Sequence, residues 1–243
     1  WRDGARLVVH DDNDATAAAF ETFAGAGAAW RDLNEHGRRI WEVSERTFFA
    51  GPMSNPLDLL SRMESANDLR TIDAMRSLND AARALFDEPK LQQWLGRYAT
   101  YSGSTPRRAP ATLSCIPHVE AGHGCWYPTG GLGALCDALV RVAGKVGVDI
   151  QTSSDVERIN EDGTSVTGIR LVDGSVVAAD VVIANTDAEH LYADVLPDDA
   201  ALRTVRKADR STSGFAMCLG VRGATPAIDG APLGHHNVFF SNN

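Results

Sequence analysis

The chain has 243 residues, 44% of them apolar and 23% charged, with a formal net charge of −9; this is the composition of a globular protein able to bury a sizeable core. The net charge, and the lack of any Lys/Arg cluster beyond Arg38-Arg39 or Arg107-Arg108, argue against a nucleic-acid partner. Four cysteines without close pairing do not make a disulfide framework and point to a reducing compartment, and neither a membrane span nor a secretory signal is visible.

Residues 2–10 alternate around Asp3-Gly4 and predict a hairpin or edge strand. Asp14 or Thr16 can cap a helix running to about residue 35, with Phe20, Phe23, Ala24, Trp30 and Leu33 on its apolar side. Gly25 and Gly27 weaken its middle by about 1 kcal/mol each against Ala. Residues 40–49 are again helix-like, up to Gly51-Pro52. Residues 53–63 form a short amphipathic piece with Leu57, Leu59, Leu60 and Met63, either an ordinary packing helix or a lip for lipid. Ser77-Leu78-Asn79-Asp80 resembles a capping box before a helix over 81–86. Asp87-Glu88-Pro89 separates that helix from another over 90–100, and residues 101–110 are turn chemistry.

From residue 116 the pattern changes. An aromatic and proline-rich loop is expected over 116–131, ending in Gly130-Gly131. A helix follows, with Leu132, Leu135, Cys136, Leu139, Val140 and Ala143 on one face. Strands are expected over 148–153 and 155–159, then a hairpin of 164–172 and 175–178 through Asp173-Gly174. The continuous apolar run 180–184 reads as a strand buried on both faces, ending at Asn185-Thr186-Asp187. A helix over 198–207 and strands over 213–221 and 237–241 complete the chain. The expected class is α/β with α+β character, holding parts of two domains, and ligands of such layers bind beyond the strand ends. Trp1 is no initiator, and the last strand breaks off at Asn243, so an internal fragment is expected.

Cys115, His118, His123 and Cys125 suggest a metal, but all four crowd one stretch instead of two separated pairs, and no metal is expected. His235-His236 would send its two rings to opposite faces of a strand. Gly130-Gly131 before a helix suits close approach of a ligand. The sequence contains no G-x-G-x-x-G, P-loop or G-x-S-x-G. The residues alone support part of an α/β protein with an aromatic-lined cavity.

Five stretches in order go further: residues 97–110 (RYATYSGSTPRRAP), 116–131 (IPHVEAGHGCWYPTGG), 154–159 (SDVERI), 180–187 (DVVIANTD), and 213–220 with 235–241 (HHNVFFS). Together they resemble the bacterial carotenoid (phytoene) desaturases of the FAD-dependent amine-oxidase-like superfamily; residues 1–90 match only loosely. The resemblance implies a two-domain FAD-dependent oxidoreductase, with Rossmann-like sheet pieces and a helix-rich substrate domain. Residues 1–128 would be mainly substrate domain, 129–190 part of the FAD-binding domain with a small β flap, and 191–243 a return to the substrate domain. The family's N-terminal glycine motif and its C-terminal flavin-closing segment are not in this sequence.

The resemblance also implies roles. Val156 would touch the adenine end of FAD through its backbone, Asn185, Thr186 and Asp187 would lie near the dinucleotide, and Gly130 and Gly131 would let the chain pass close. Trp126, Tyr127 and Phe215 would line an apolar tunnel for a lipophilic polyene such as phytoene. A hydride would pass to flavin and a proton would leave the neighbouring carbon, with His118 and Glu120 as candidate partners. Such a substrate implies loading from a membrane surface, hence a cytoplasmic enzyme peripheral on the inner face of the plasma membrane. Carotenoid isomerase, ketolase, polyene saturase, amine oxidase and a non-catalytic binding module remain as alternatives on the same scaffold.

Overall fold

A computed structural model describes residues 1–52, 55–220, 222–223, 227–228, 231–234 and 236–240. The chain divides into two compact units, residues 1–126 with 211–243, and residues 127–210.

The first unit is helical. Helix α1 (Asn13–Ala24) starts where the Asp12 carboxylate accepts the Ala15 N–H at 2.7 Å. It stops at Gly25, whose φ of 63° is left-handed and whose N–H returns to the last turn. Helix α2 (Gly27–Thr47) then runs unbroken across both stretches expected as separate helices. The break falls at 25–26 instead of 36–39 because Gly25 alone adopts the terminating conformation, while Gly37 and its neighbours remain helical. No strand forms over residues 2–10. Their backbone groups go elsewhere: the Gly4 N–H to the Trp1 carbonyl at 3.1 Å, and both the N–H and carbonyl of His10 to the Thr16 hydroxyl.

Helix α3 (Pro56–Ser61) begins in a capping box between Asn55 and Asp58; Met53 and Ser54 lie outside the described residues. Helices α4 (Ala66–Ile72), α5 (Leu78–Leu85) and α6 (Pro89–Gly96) follow. The Ser77 hydroxyl accepts the Asp80 N–H at 3.1 Å to cap α5, and Pro89 occupies the first turn of α6, where no N–H is needed. A 3-10 turn (Arg97–Ser102) closes at Gly103, with φ of 60°. A second (Ala111–Cys115) leads into α7 (Ile116–His123). The loop expected from residue 116 is therefore helical to His123, because Pro117 is tolerated in a first turn and Gly124 is what ends it.

An aromatic core fixes these helices. Phe20, Trp30, Phe86 and Tyr98 are fully or almost fully buried, with Trp94 close behind. Trp94 stands edge-on to Phe20 at 5.1 Å and to Tyr98 at 5.7 Å, the arrangement that ring quadrupoles favour. Helix α2 packs directly on α7 across Gly37: a Cβ there would lie 2.9 Å from both His118 Cβ and the Ser114 carbonyl. Residues 213–220 carry no strand, and Phe215, Met217 and Leu219 are exposed. Residues 237–240 are likewise irregular, and Val221, His235 and Ser241 lie outside the described residues. An extended segment becomes a strand only where a neighbour pairs its backbone, and the described residues beside these two supply none. The pairing seen in this region is the short ladder of β4 (Ala227–Ile228) with β5 (Ala231–Pro232).

In the second unit, α8 (Leu132–Lys145) matches the predicted helix. Strands β1 (Val156–Glu161), β2 (Val166–Leu171) and β3 (Val176–Ala178) form an antiparallel sheet in that order. Ile159 pairs with Ile169, and the predicted Asp173-Gly174 turn joins β2 to β3, with Gly174 at φ of 87°. Helix α9 (Ala188–His190), a π turn (Leu191–Val195) and α10 (Asp199–Lys207) follow. Ile159, Leu171 and Val195 form the buried centre. Residues 148–153 and 180–184 are irregular, not strands, and Ile183 is 90% exposed. A doubly buried strand needs paired strands and covering helices on both faces; among the described residues the sheet has antiparallel pairs alone. The apolar face of α8 is uncovered for the same reason, with no buried residue in the helix.

Candidate functional site

The two side chains proposed as proton partners sit on α7 and point apart, as residues two positions apart on a helix must. His118 turns to α2, its Nδ1 2.7 Å from Asn34 Oδ1. Burial, the nearby His123 and Arg38 all push its pKa down, so the ring is neutral at neutral pH. Glu120 faces the other way. Tyr98 donates its hydroxyl to Glu120 Oε2 at 2.6 Å, and Tyr101 donates to Oε1 at 3.0 Å. Arg97 donates to the Tyr98 oxygen at 2.8 Å, lies 3.7 Å from the carboxylate, and places its guanidinium carbon 4.1 Å from the centre of the Tyr98 ring. Burial is the main cause that raises the pKa of both phenols, with Glu120 adding to it, so both remain donors. Glu120 is thus fastened by two phenols and a cation, a positioning role more than that of a free base. By periodicity residues 97–101 are the end of a helix and the start of a turn, and they open the first of the stretches that carry the family resemblance; the signal for the cluster itself is the i, i+3 spacing of Tyr98 and Tyr101.

Cys115 is half-buried, and burial pushes its thiol up to about 11, so it stays protonated. Among the described residues, no three His, Cys, Asp or Glu side chains group as a metal would require.

Beside Tyr101 opens a cleft of about 680 Å³, bounded by α5, α6, the 3-10 turn after it and residues 236–240. Asn79, Arg83 and Gln92 give it polar walls, and Pro106, Val238 and Phe240 apolar ones. Trp1 stacks on Phe240 with centroids 5.0 Å apart and donates its indole N–H to Gln93 Oε1 at 2.6 Å. This cleft is not legible in the sequence, because its walls come from segments as far apart as Asn79 and Phe240.

The aromatic residues expected to line a tunnel do not line this cleft. Trp126 is 90% exposed, its indole bonded to the His123 carbonyl at 3.1 Å, and Phe215 is also exposed. Tyr127, more than half exposed, belongs to the second unit.

The six residues proposed for FAD all lie in the second unit. Gly130 and Gly131 have φ of 88° and 85°, and they precede the N-terminus of α8, which no side chain caps. A Cβ at Gly130 would meet nothing nearer than Ala134 Cβ at 3.5 Å, so backbone conformation, not crowding by the protein, calls for glycine there. A register irregularity between Val156 and Arg158 interrupts the ladder at Glu157, whereas Val156 itself pairs with Leu171. Asn185 and Thr186 are exposed. Asp187 is already engaged: its carboxylate accepts the Glu189 and His190 N–H groups at 2.9 and 3.3 Å and caps α9. Gly130 and Gly131 leave the uncapped start of α8 open, and Asn185 and Thr186 present exposed side chains, whereas Val156 is paired in the sheet and the Asp187 side chain serves its own helix.

Comparison with known proteins identifies the family. The flavin containing amine oxidoreductase family matches residues 9–217. A hydroxyneurosporene desaturase of Cereibacter sphaeroides is 33% identical across 100% of this chain and 49% of its own length. A 1-hydroxycarotenoid 3,4-desaturase of a Flavobacterium is 36% identical across 68% of this chain and 32% of its own. A 4,4'-diapolycopene oxygenase of a Methylomonas is 26% identical across 100% of this chain and 49% of its own. The chain therefore spans about half the length of these relatives or less. By the extent of the family match, the chain belongs to the flavin containing amine oxidoreductases, a family whose cofactor is FAD, and it is similar to carotenoid desaturases and oxygenases within it.

Proposed function

We propose that this chain is part of an FAD-dependent enzyme that desaturates a carotenoid-like polyene. The observation that carries the reading is that a relative 33% identical over the whole chain is named a hydroxyneurosporene desaturase. Bound FAD supplies the hydride acceptor, which is the difficult part of the chemistry. The chain's own residues bind, orient and exclude water. Gly130, Gly131, the backbone at Val156, and Asn185 and Thr186 would hold the dinucleotide. Trp126, Tyr127 and Phe215 offer exposed apolar surface for the polyene. Glu120, held by Tyr98 and Tyr101, fixes the turn that borders the cleft, and neutral His118 is a poor proton donor at neutral pH. Phe49, Leu57 and Leu60 are exposed near α3 and are proposed as the contact with a membrane surface on the cytoplasmic side.

The test uses the full-length protein with carotenoids dispersed in liposomes. Desaturation predicts bound flavin, loss of two hydrogens from the product and a red-shifted polyene spectrum. The oxygenase among the relatives supports a second reading, oxygen insertion at a chain end, which a gain in product mass would identify. A flavin-free protein that leaves polyenes unchanged refutes both.

A further inference from the structure

We infer that the cleft between α5, α6 and residues 236–240 receives an oxygen-bearing end group of the polyene, with Arg83 as the donor that selects it. This rests on the proposed polyene substrate. The cleft is amphiphilic: Pro106, Val238 and Phe240 suit a hydrocarbon, whereas Asn79, Arg83 and Gln92 do not.

Several polar atoms of the cleft are already used within the protein. Gln92 donates its amide nitrogen to the Phe86 carbonyl at 2.7 Å, which fixes the side chain and leaves its Oε1 without a partner among the described residues. Arg97 is committed to Tyr98 and Glu120, and Tyr101 to Glu120. Arg83 is exposed and, beyond its charge attraction to Asp80 one turn earlier, makes no hydrogen bond or ion pair among the described residues, so its donors can turn to a ligand. A hydroxyl on the end group would accept from Arg83 and donate to Gln92 Oε1. A bare hydrocarbon end would strip water from both groups and return nothing, and sites of this kind reject analogues that lack the polar group.

The end group would lie in a defined place. Phe240 is held by its stack on Trp1, and Trp1 by its bond to Gln93, so the apolar wall is anchored to α6, the helix that also carries Gln92. Arg83 stands on α5, in the turn before its C-terminus.

The experiment compares a hydroxylated acyclic carotenoid with the hydrocarbon of equal conjugation, in liposomes, with the full-length flavoprotein. Arg83→Met should lower kcat/KM for the hydroxylated substrate about 10- to 100-fold, chiefly through KM. The hydrocarbon should change by no more than about twofold, and Arg83→Lys should restore part of the loss. Val238→Phe, on the opposite wall, should weaken binding of the hydroxylated carotenoid independently, read by quenching of tryptophan fluorescence. Equal losses on both substrates, or no loss in either variant, overturns the assignment. Wild-type protein that turns over neither carotenoid refutes the desaturase reading instead, while the quenching titration still decides the cleft.

Discussion

Replacing Tyr98 by Phe removes one oxygen from a fully buried ring and leaves every carbon contact in place. That oxygen donates to Glu120 at 2.6 Å and accepts from Arg97 at 2.8 Å. A hydrogen bond to a charged group contributes about 1.5–3 kcal/mol, and a partner left short of a bond costs extra when it is buried. Glu120 retains Tyr101 at 3.0 Å and Arg97 at 3.7 Å, so the loss should sit near the middle of that range, about 2 kcal/mol. Tyr101→Phe removes a longer bond from a ring that is 60% exposed, where water replaces the lost partner; about 0.5 kcal/mol is expected. Urea unfolding followed by tryptophan fluorescence measures both, since Trp30 and Trp94 lie in the same core. With a urea slope of about 1–3 kcal/mol/M, Tyr98→Phe should lower the midpoint by roughly 1 M and Tyr101→Phe by a fraction of that. A Tyr98→Phe, Glu120→Gln double-mutant cycle should give a coupling of about 1–2 kcal/mol. Equal costs for the two tyrosines, or no coupling, would refute the view that Glu120 is fastened chiefly through the buried phenol.

Three further outcomes are expected. Gly37→Ala places a Cβ 2.9 Å from His118 Cβ and the Ser114 carbonyl, so α7 must move off α2; a loss of about 1–3 kcal/mol is expected, visible as a lower thermal midpoint. Gly168→Ala puts a Cβ 2.2 Å from the Val177 carbonyl at φ of 145°, and amide exchange should show the β2–β3 pairing opened while helical amides stay protected. His36 and His118 have depressed pKa values, burial being the first cause in each, with Asp73 opposing it at His36. The unfolded chain therefore binds protons first. The stability that comes from burying neutral rings is fully present above the unfolded value of about 6.5 and is lost as pH falls through the lower folded values. Denaturation midpoints measured from pH 7.5 to 5 should fall, and His36→Gln should flatten that limb; a midpoint that rises on acidification over this range would contradict the assignment.

Local signals were legible wherever one segment settled its own structure. The Ser77 cap, the helix from Leu132 and the Asp173-Gly174 hairpin were all read from spacing and turn chemistry, and all form. The family was legible too, because ordered motifs survive without knowledge of their contacts. The runs at 180–184 and 213–220 are not strands, since apolar pattern reports what a segment can bury and not whether a neighbour is there to bury it. The division of α1 from α2 depended on which glycine turned left-handed; Gly25 did, while Gly37 stayed helical and became a packing surface for α7. Glu120 was named from sequence, but its role was not: its partners Tyr98 and Tyr101 lie 22 and 19 residues away. Sequence by itself determined the helix after Ser77, the helix from Leu132 and the hairpin, all consequences of near-neighbour pattern, and the resemblance of its ordered motifs pointed to a flavin family. Tertiary structure alone decided that Glu120 is tied down, that His118 faces Asn34, and that Arg83 fronts a cleft, because each depends on distances between segments that periodicity does not encode.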